Sequence, residues 1–266
     1  MTIFDSVVLG LVQGVTEFVP VSSSGHLTLA QNVLGLGSDH LFLEFINIGT
    51  LLALLIFYRK KIWKIIKDVF VNKNYKLAVN LVITSVPAGV IGYILSGFIS
   101  DSPFFGSVYT IAIGLLVVGV LMVVLEKLPR MSAVKDGASL PWYRALLIGF
   151  AQVFALVPGV SRSGSTIITG RLSGLSAKES AEYSFLASIP IMCAVVLKTF
   201  VSSNDRAYFM DNLPTLVLSN VVAFLSGLVA ISFVMKYLAK RKSLQVFGWY
   251  RIVLAVVVLI VLSLGM

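Results

Sequence analysis

Apolar residues fill this chain in long unbroken stretches. Six of them, about 42–58, 77–98, 104–125, 181–201, 213–235 and 247–265, predict membrane-crossing helices. A hydrocarbon core about 30 Å thick needs roughly 20 helical residues. A β-barrel would instead need short segments of alternating polarity. Two further apolar segments, about 2–36 and 143–175, are broken near their middles by Pro, Gly and Ser. Each half runs to about ten to seventeen residues and climbs only about 15–25 Å, short of a comfortable crossing. Each broken segment therefore predicts a re-entrant helical hairpin, entering and leaving on one side. Irregular backbone at that depth is tolerated only where it is buried in protein or lines a wet cavity.

The positions of Lys and Arg agree with this layout. Segment 59–76 carries Arg59, Lys60, Lys61, Lys64, Lys67, Lys73 and Lys76. Segment 126–144 carries Lys127, Arg130, Lys135 and Arg144, and segment 236–246 carries Lys236, Lys240, Arg241 and Lys242. With Lys178, these sixteen fall on one side if both hairpins are re-entrant. The opposite loops, about 37–41, 99–103 and 202–212, hold only Arg206. The positive-inside rule then puts both termini outside.

One hairpin plus three crossings makes half the chain, and three is odd, so the second half is inverted relative to the first. The expected fold class is an all-α integral membrane protein of two inverted-topology repeats, 1–125 and 143–266. They form one membrane domain with a cytoplasmic linker at 126–142. In proteins of this plan the site lies where broken helices meet between the repeats.

Composition narrows the function. The chain has 266 residues, 58% hydrophobic and 12% charged. The net charge of +9 is accounted for by topology, so no nucleic-acid partner is expected. Attraction to anionic lipid is a secondary reading of the basic runs. The start of the chain lacks a basic n-region, so no cleaved signal peptide is expected. Cys193 stands alone, which excludes a disulfide framework.

The two broken segments share a polar pattern offset by 139 residues. Gly10, Gln13, Val21, Ser22, Ser24 and Gly25 recur as Gly149, Gln152, Val160, Ser161, Ser163 and Gly164. The first copy adds Glu17, Ser23 and His26 around Pro20; the second adds Arg162, Ser165 and Thr166 after Pro158. Gln13 and Glu17 are four apart and share a helix face. Small residues let backbone amides approach a ligand, and helix N-termini after such turns favour anions. Arg162 offers a planar fork for phosphate oxygens. Glu17 and His26 can move protons or hold a metal, and His26 could activate a nucleophile such as Ser23. Serines in membrane helices commonly serve packing, whereas an intramembrane Glu or Arg is functional by default. Glu44 and Glu182, 138 apart, read as helix N-terminal charges, His40 as a solvated loop residue, and Lys198 and Arg251 as snorkelling near helix ends.

The segment from Gln13 to His26 (Gln13-Gly-Val-Thr-Glu17-Phe-Val-Pro20-Val-Ser22-Ser23-Ser24-Gly25-His26) resembles the first motif of undecaprenyl-diphosphate phosphatases of the bacitracin-resistance family. Pro158-Gly159-Val160-Ser161-Arg162-Ser163-Gly164-Ser165-Thr166 resembles the second. The likeness extends along essentially the whole chain, including Phe45-Ile-Asn47-Ile-Gly49. It departs at Gln13, where many members carry Glu, at Ser24 (Thr), and at Asn47 (Gln). The resemblance implies a bacterial inner-membrane enzyme that hydrolyses a C55 polyprenyl diphosphate to the monophosphate and inorganic phosphate. That recycles a cell-wall carrier lipid and gives bacitracin resistance. It implies a divalent cation, Mg or Ca, linked to Glu17 and Gln13. Glu17, His26, Ser23 and Arg162 would be catalytic, and Ser22, Ser24, Gly25, Ser161, Ser163 and Thr166 would bind substrate. The expected partners are the lipid substrate and the bilayer, with an oligomer open.

Two other readings fit parts of the pattern. A transporter or lipid flippase uses inverted repeats and broken helices. A phosphatase of the phosphatidic-acid type uses Ser-Gly-His and Ser-Arg elements, but here no histidine follows Arg162 and no Lys-x6-Arg-Pro motif occurs.

Overall fold

The computed structural model describes residues 1–37, 39–128, 133–240 and 243–264. Arg130, Arg241 and Lys242 of the basic side lie outside the described residues, as does the side chain of His40. All the regular structure described is helical. The helices are α1 (Ile3–Phe18), α2 (Ser23–Val33), α3 (His40–Phe45), α4 (Asn47–Phe57), α5 (Arg59–Phe70), α6 (Lys76–Ile94), α7 (Ser96–Asp101) and α8 (Pro103–Gly106). They continue as α9 (Val108–Leu125), α10 (Trp142–Val153), α11 (Arg162–Leu172), α12 (Ala177–Val201), α13 (Ser203–Asp211), α14 (Leu213–Tyr237) and α15 (Ser243–Ser263). Five of these, α6, α9, α12, α14 and α15, are long and apolar enough to cross a membrane, and the bent run of α3, α4 and α5 makes a sixth candidate.

Both predicted breaks occur, for the same local reason. Val19 precedes Pro20 and Val157 precedes Pro158, and each adopts extended backbone (ψ 131° and 122°). A proline ring disfavours helical backbone in the residue before it, which favours a stop there. Beyond each break a serine sits at positive φ, Ser22 at 77° and Ser161 at 75°. Each caps the helix that follows. The Gly25 amide donates to Ser22 Oγ (3.4 Å), and the Gly164 amide donates to Ser161 Oγ (3.1 Å). Positive φ at a non-glycine residue costs about 1–3 kcal/mol, and here it recurs at duplicated positions.

Long helices support these hairpins at close range. α1 packs on α14, α10 on α6, and α9 on α15. At Gly14 a Cβ would lie 2.5 Å from the Ala223 carbonyl oxygen and 2.0 Å from Ser226 Oγ. At Gly149, in α10, it would lie 2.8 Å from the Thr84 carbonyl oxygen. Close backbone approach at small residues substitutes for the hydrophobic driving force that lipid removes. Phe18 and Phe185, both fully buried, meet edge to face at 5.5 Å. They join the end of α1 to the middle of α12.

Several expectations are corrected. Residues 202–212 and 99–103 are helical for most of their length rather than open loops. α13 stays folded because Phe209 and Tyr208 pack on Phe45, and the Tyr208 hydroxyl donates to the Asp39 carboxylate. Glu182 neutralises Lys61 of α5 across a 2.7 Å ion pair, instead of merely complementing a helix N-terminus. Glu44 lies in the first turn of the apolar run Leu41–Phe57, ahead of α4, where the sequence places it.

Gly14→Val is expected to destabilise the protein by about 1–3 kcal/mol through overpacking. The check is a lowered melting temperature in detergent relative to Gly37→Val, where a Cβ meets nothing within 4 Å.

Candidate active site

Glu17 occupies the last turn of α1, and Arg162 opens α11. Although 145 residues apart, they form an ion pair with Arg162 Nη2 2.7 Å from Glu17 Oε1. The second carboxylate oxygen, Oε2, accepts from the Ser23 hydroxyl at 2.6 Å and from Gln13 Nε2 at 3.2 Å. Gln13 Nε2 also lies 2.9 Å from Asn47 Oδ1 and 3.3 Å from Thr50 Oγ1. The two polar clusters thus meet on one carboxylate. Arg162 Nη1 is buried with no hydrogen-bond partner. An open guanidinium donor beside a carboxylate suits an incoming phosphate oxygen.

His26 stands one turn into α2. Its Nδ1 lies 2.8 Å from the Ser22 carbonyl oxygen, which can only accept, so Nδ1 carries a proton. In the neutral ring Nε2 is then an acceptor, and the Tyr250 hydroxyl donates to it at 2.7 Å. The two rings are nearly parallel, 5.7 Å apart. Ser23 hydrogen-bonds Glu17 rather than His26, so the carboxylate is the base within reach of that hydroxyl.

The remaining serines divide by exposure. Ser24 is exposed, whereas Ser22, Gly25, Ser161, Ser163 and Thr166 are buried. Ser22 and Ser161 cap their helices as described. Ser163 Oγ pairs with Ser161 Oγ at 3.2 Å, and the Thr166 hydroxyl donates to the Arg162 carbonyl oxygen (2.8 Å) while pairing with Ser184 of α12 at 2.5 Å. The Thr166 hydroxyl thus braces α11 against α12.

Arg251 is the main correction. It is fully buried, not snorkelling. Its guanidinium donates to five carbonyl oxygens: Pro20 (3.1 Å), Gly159 (2.5 Å), Val160 (3.0 Å), Gly114 (3.3 Å) and Leu115 (3.4 Å). One side chain of α15 therefore joins both hairpin breaks to α9. Among the described residues no carboxylate pairs with it. Hydropathy starts the last span at 247 and leaves Arg251 near its end. The helix begins at Ser243, which carries Arg251 a full turn deeper. The available signal was the charge itself, since an arginine inside a span is costly. Nothing in the sequence pattern pointed to Tyr250.

The geometry has a counterpart among known proteins. The profile of the bacitracin resistance protein BacA family matches residues 6–257. The chain belongs to the BacA family. Relatives of that family are similar along their whole length. An undecaprenyl-diphosphatase of Halothermothrix orenii is 34% identical, covering 98% of both chains. One from Clostridium tetani is 36% identical, over 98% of this chain and 96% of its own. Undecaprenyl-diphosphatase 1 of Clostridioides difficile is 38% identical, over 97% and 96%. Within this BacA-family chain, no three His, Cys, Asp or Glu side chains converge as a metal-binding group among the described residues. A cation at Glu17 would have one carboxylate, the oxygens of a phosphate ligand and, with the Gln13 amide turned to present its oxygen in place of its nitrogen, that side chain. Magnesium is commonly held that way, by one or two carboxylates plus substrate phosphates.

Arg251→Met is expected to cost about 3 kcal/mol or more, because hydrogen bonds to a charged group are worth about 1.5–3 kcal/mol each. Thermal unfolding in detergent should show the loss, with Arg251→Lys recovering only part of it, since an ammonium cannot reach five carbonyls in fork geometry.

Proposed function

We propose that this protein hydrolyses undecaprenyl diphosphate to undecaprenyl phosphate and inorganic phosphate, and so recycles the cell-wall carrier lipid and gives bacitracin resistance. The observation that carries the reading is the single carboxylate of Glu17 engaging both Ser23 and Arg162. A base on a hydroxyl, beside a guanidinium with an open donor, is the apparatus of phosphoryl transfer.

In the proposed sequence Arg162 exchanges its Glu17 contact for oxygens of the terminal phosphate. Ser23 Oγ attacks that phosphorus, and its proton passes to Glu17. The bond to the bridging oxygen breaks, leaving the prenyl monophosphate as the departing group. His26, whose Nε2 accepts rather than donates, serves as the base toward the water of the second step, while Tyr250 and the Ser22 carbonyl hold its ring and Glu17 returns its proton to Ser23 Oγ. Water then cleaves the phosphoserine, releasing inorganic phosphate and restoring the Ser23 hydroxyl. Ser24 and those first-turn amides of α2 and α11 not taken by the Ser22 and Ser161 caps contact the phosphates. Ser22, Gly25, Ser161, Ser163 and Thr166 shape the turns that present them. A divalent cation, Mg or Ca, held by Glu17 and Gln13 together with substrate oxygens, would neutralise phosphate charge.

The architecture that fits this reading is a pair of inverted repeats, each a re-entrant hairpin with three crossings. Three features support it: the twin Ser22 and Ser161 turns, the packing of α1 on α14 alongside α10 on α6, and the meeting of the two clusters. In this arrangement the protein crosses the bacterial inner membrane several times, with both termini outside and the site open to that side.

Two experiments test these statements. With purified protein and a polyprenyl diphosphate, Glu17→Gln, His26→Ala and Arg162→Ala should each lower phosphate release by about 10²–10⁴-fold, as loss of acid–base or charge-stabilising groups does. Phosphate label should be trapped on Ser23 and vanish in Ser23→Ala; full activity of all four variants rejects the mechanism. Lipid translocation without phosphate release would favour a transporter. For orientation, single cysteines replacing Lys73 and Gly37 in a Cys193→Ser background should label from opposite sides of the membrane.

A further inference from the structure

α5 has no buried residue, yet it is apolar along one side. It turns 70° away from the preceding helical run within a single residue, Tyr58. Such a bend carries the chain from crossing the membrane to lying along it. Seen down its axis, α5 has three stripes. Lys61, Ile65 and Val69 are partly covered, and Lys61 is fixed to Glu182 of α12 by the 2.7 Å ion pair. Trp63, Ile66 and Phe70 form an outward apolar stripe, exposed by 69%, 41% and 72%. Lys60, Lys64 and Lys67 form an exposed basic stripe beside it. In water, exposing Trp63 and Phe70 would be unfavourable. In hydrocarbon, exposing three ammonium groups would be worse. Only an interface satisfies both stripes at once: Trp at the headgroup level, aliphatic and aromatic carbon below it, and lysines among the phosphates.

We infer that α5 is an interfacial docking helix for anionic phospholipid, with Lys60, Lys64 and Lys67 on the lipid phosphates and Trp63, Ile66 and Phe70 in the acyl boundary. The occupant is a lipid surface because the two exposed stripes run side by side along a helix that follows directly on the apolar run of α3 and α4. A protein groove would not need that adjacency, and an uncharged surface would offer no anion to Lys60, Lys64 and Lys67, which form no ion pair among the described residues. Lys61, turned the other way onto Glu182, links the lipid-facing helix to α12, whose Ser184 pairs with Thr166 of the second cluster. This inference rests on α5 alone and stands or falls independently of the diphosphatase reading.

The test uses the full chain with Trp142→Phe and Trp249→Phe, so that Trp63 is the only tryptophan. The protein is reconstituted into mixed vesicles containing either brominated phosphatidylglycerol or brominated phosphatidylcholine, and Trp63 fluorescence quenching gives the relative affinity. The expected preference for the anionic lipid is at least about fivefold, roughly what one lysine at an anionic surface contributes. It should fall severalfold in 1 M salt, which screens charge within about 3 Å. It should fall toward unity in Lys60→Gln/Lys64→Gln/Lys67→Gln. The salt series tests the idea even if that triple variant does not fold. Equal quenching by the two lipids at low salt overturns the proposal, as does a preference insensitive to both salt and the triple substitution. Trp63 shielded from both lipids in a dimer would overturn it as well, assigning the face to a second copy of the chain.

Discussion

Breaking a helix inside a bilayer strands carbonyl groups where no water can satisfy them, and each orphan costs free energy. This protein breaks a helix within an apolar segment twice, at Pro20 and at Pro158–Val160, and one guanidinium takes up the carbonyls left there. Arg251 donates to the carbonyls of Pro20, Gly159 and Val160, and to Gly114 and Leu115 of α9. Burial of an arginine without a carboxylate is itself expensive. Here each cost offsets the other: the cation is solvated by backbone, and the backbone by the cation. Both breaks share one side chain, so neither hairpin can shift without losing part of that cage.

From this clamp the site geometry follows. With the breaks fixed together, Ser22 and Ser161 start α2 and α11 from equivalent strained turns, and each helix presents its first polar residues at the junction. Glu17 comes from just before one break and Arg162 from just after the other, and they close to 2.7 Å. The hydrogen bonds of Gln13 to Glu17, Asn47 and Thr50 bring α4 into the same network. Tyr250 precedes Arg251 on α15, so the helix that clamps the breaks also sets the ring of His26. Rigid support for a polar site is the requirement for preorganised electrostatics. The apolar contact of Phe18 with Phe185 and the Thr166–Ser184 bond tie both hairpins to α12. That long helix reaches the basic side, where Glu182 meets Lys61 of α5. A series of packed groups therefore joins the polar junction to α5.

Much of this was written in the chain. Continuous apolar runs demand helices in a bilayer, prolines set the two breaks through sterics with the preceding residue, and the duplicated Ser and Gly positions announced equivalent turns. Glu17 and Arg162 stood out because charge inside an apolar segment is costly enough to need a reason. Those are local consequences of composition and backbone stereochemistry, and they do not depend on the rest of the fold. Partners across long separations were a different matter. That Ser23 leans on Glu17 rather than His26, that Tyr250 caps His26, that Thr166 braces α12, and that Arg251 cages the breaks are results of which helix faces meet. Hydropathy shows only that a segment is apolar; it carries no information about rotation about the helix axis or about the neighbour. Tertiary packing selected those pairs, because in lipid the close fit of small residues and the satisfaction of stranded polar groups, rather than apolar content, decide which helices lie together.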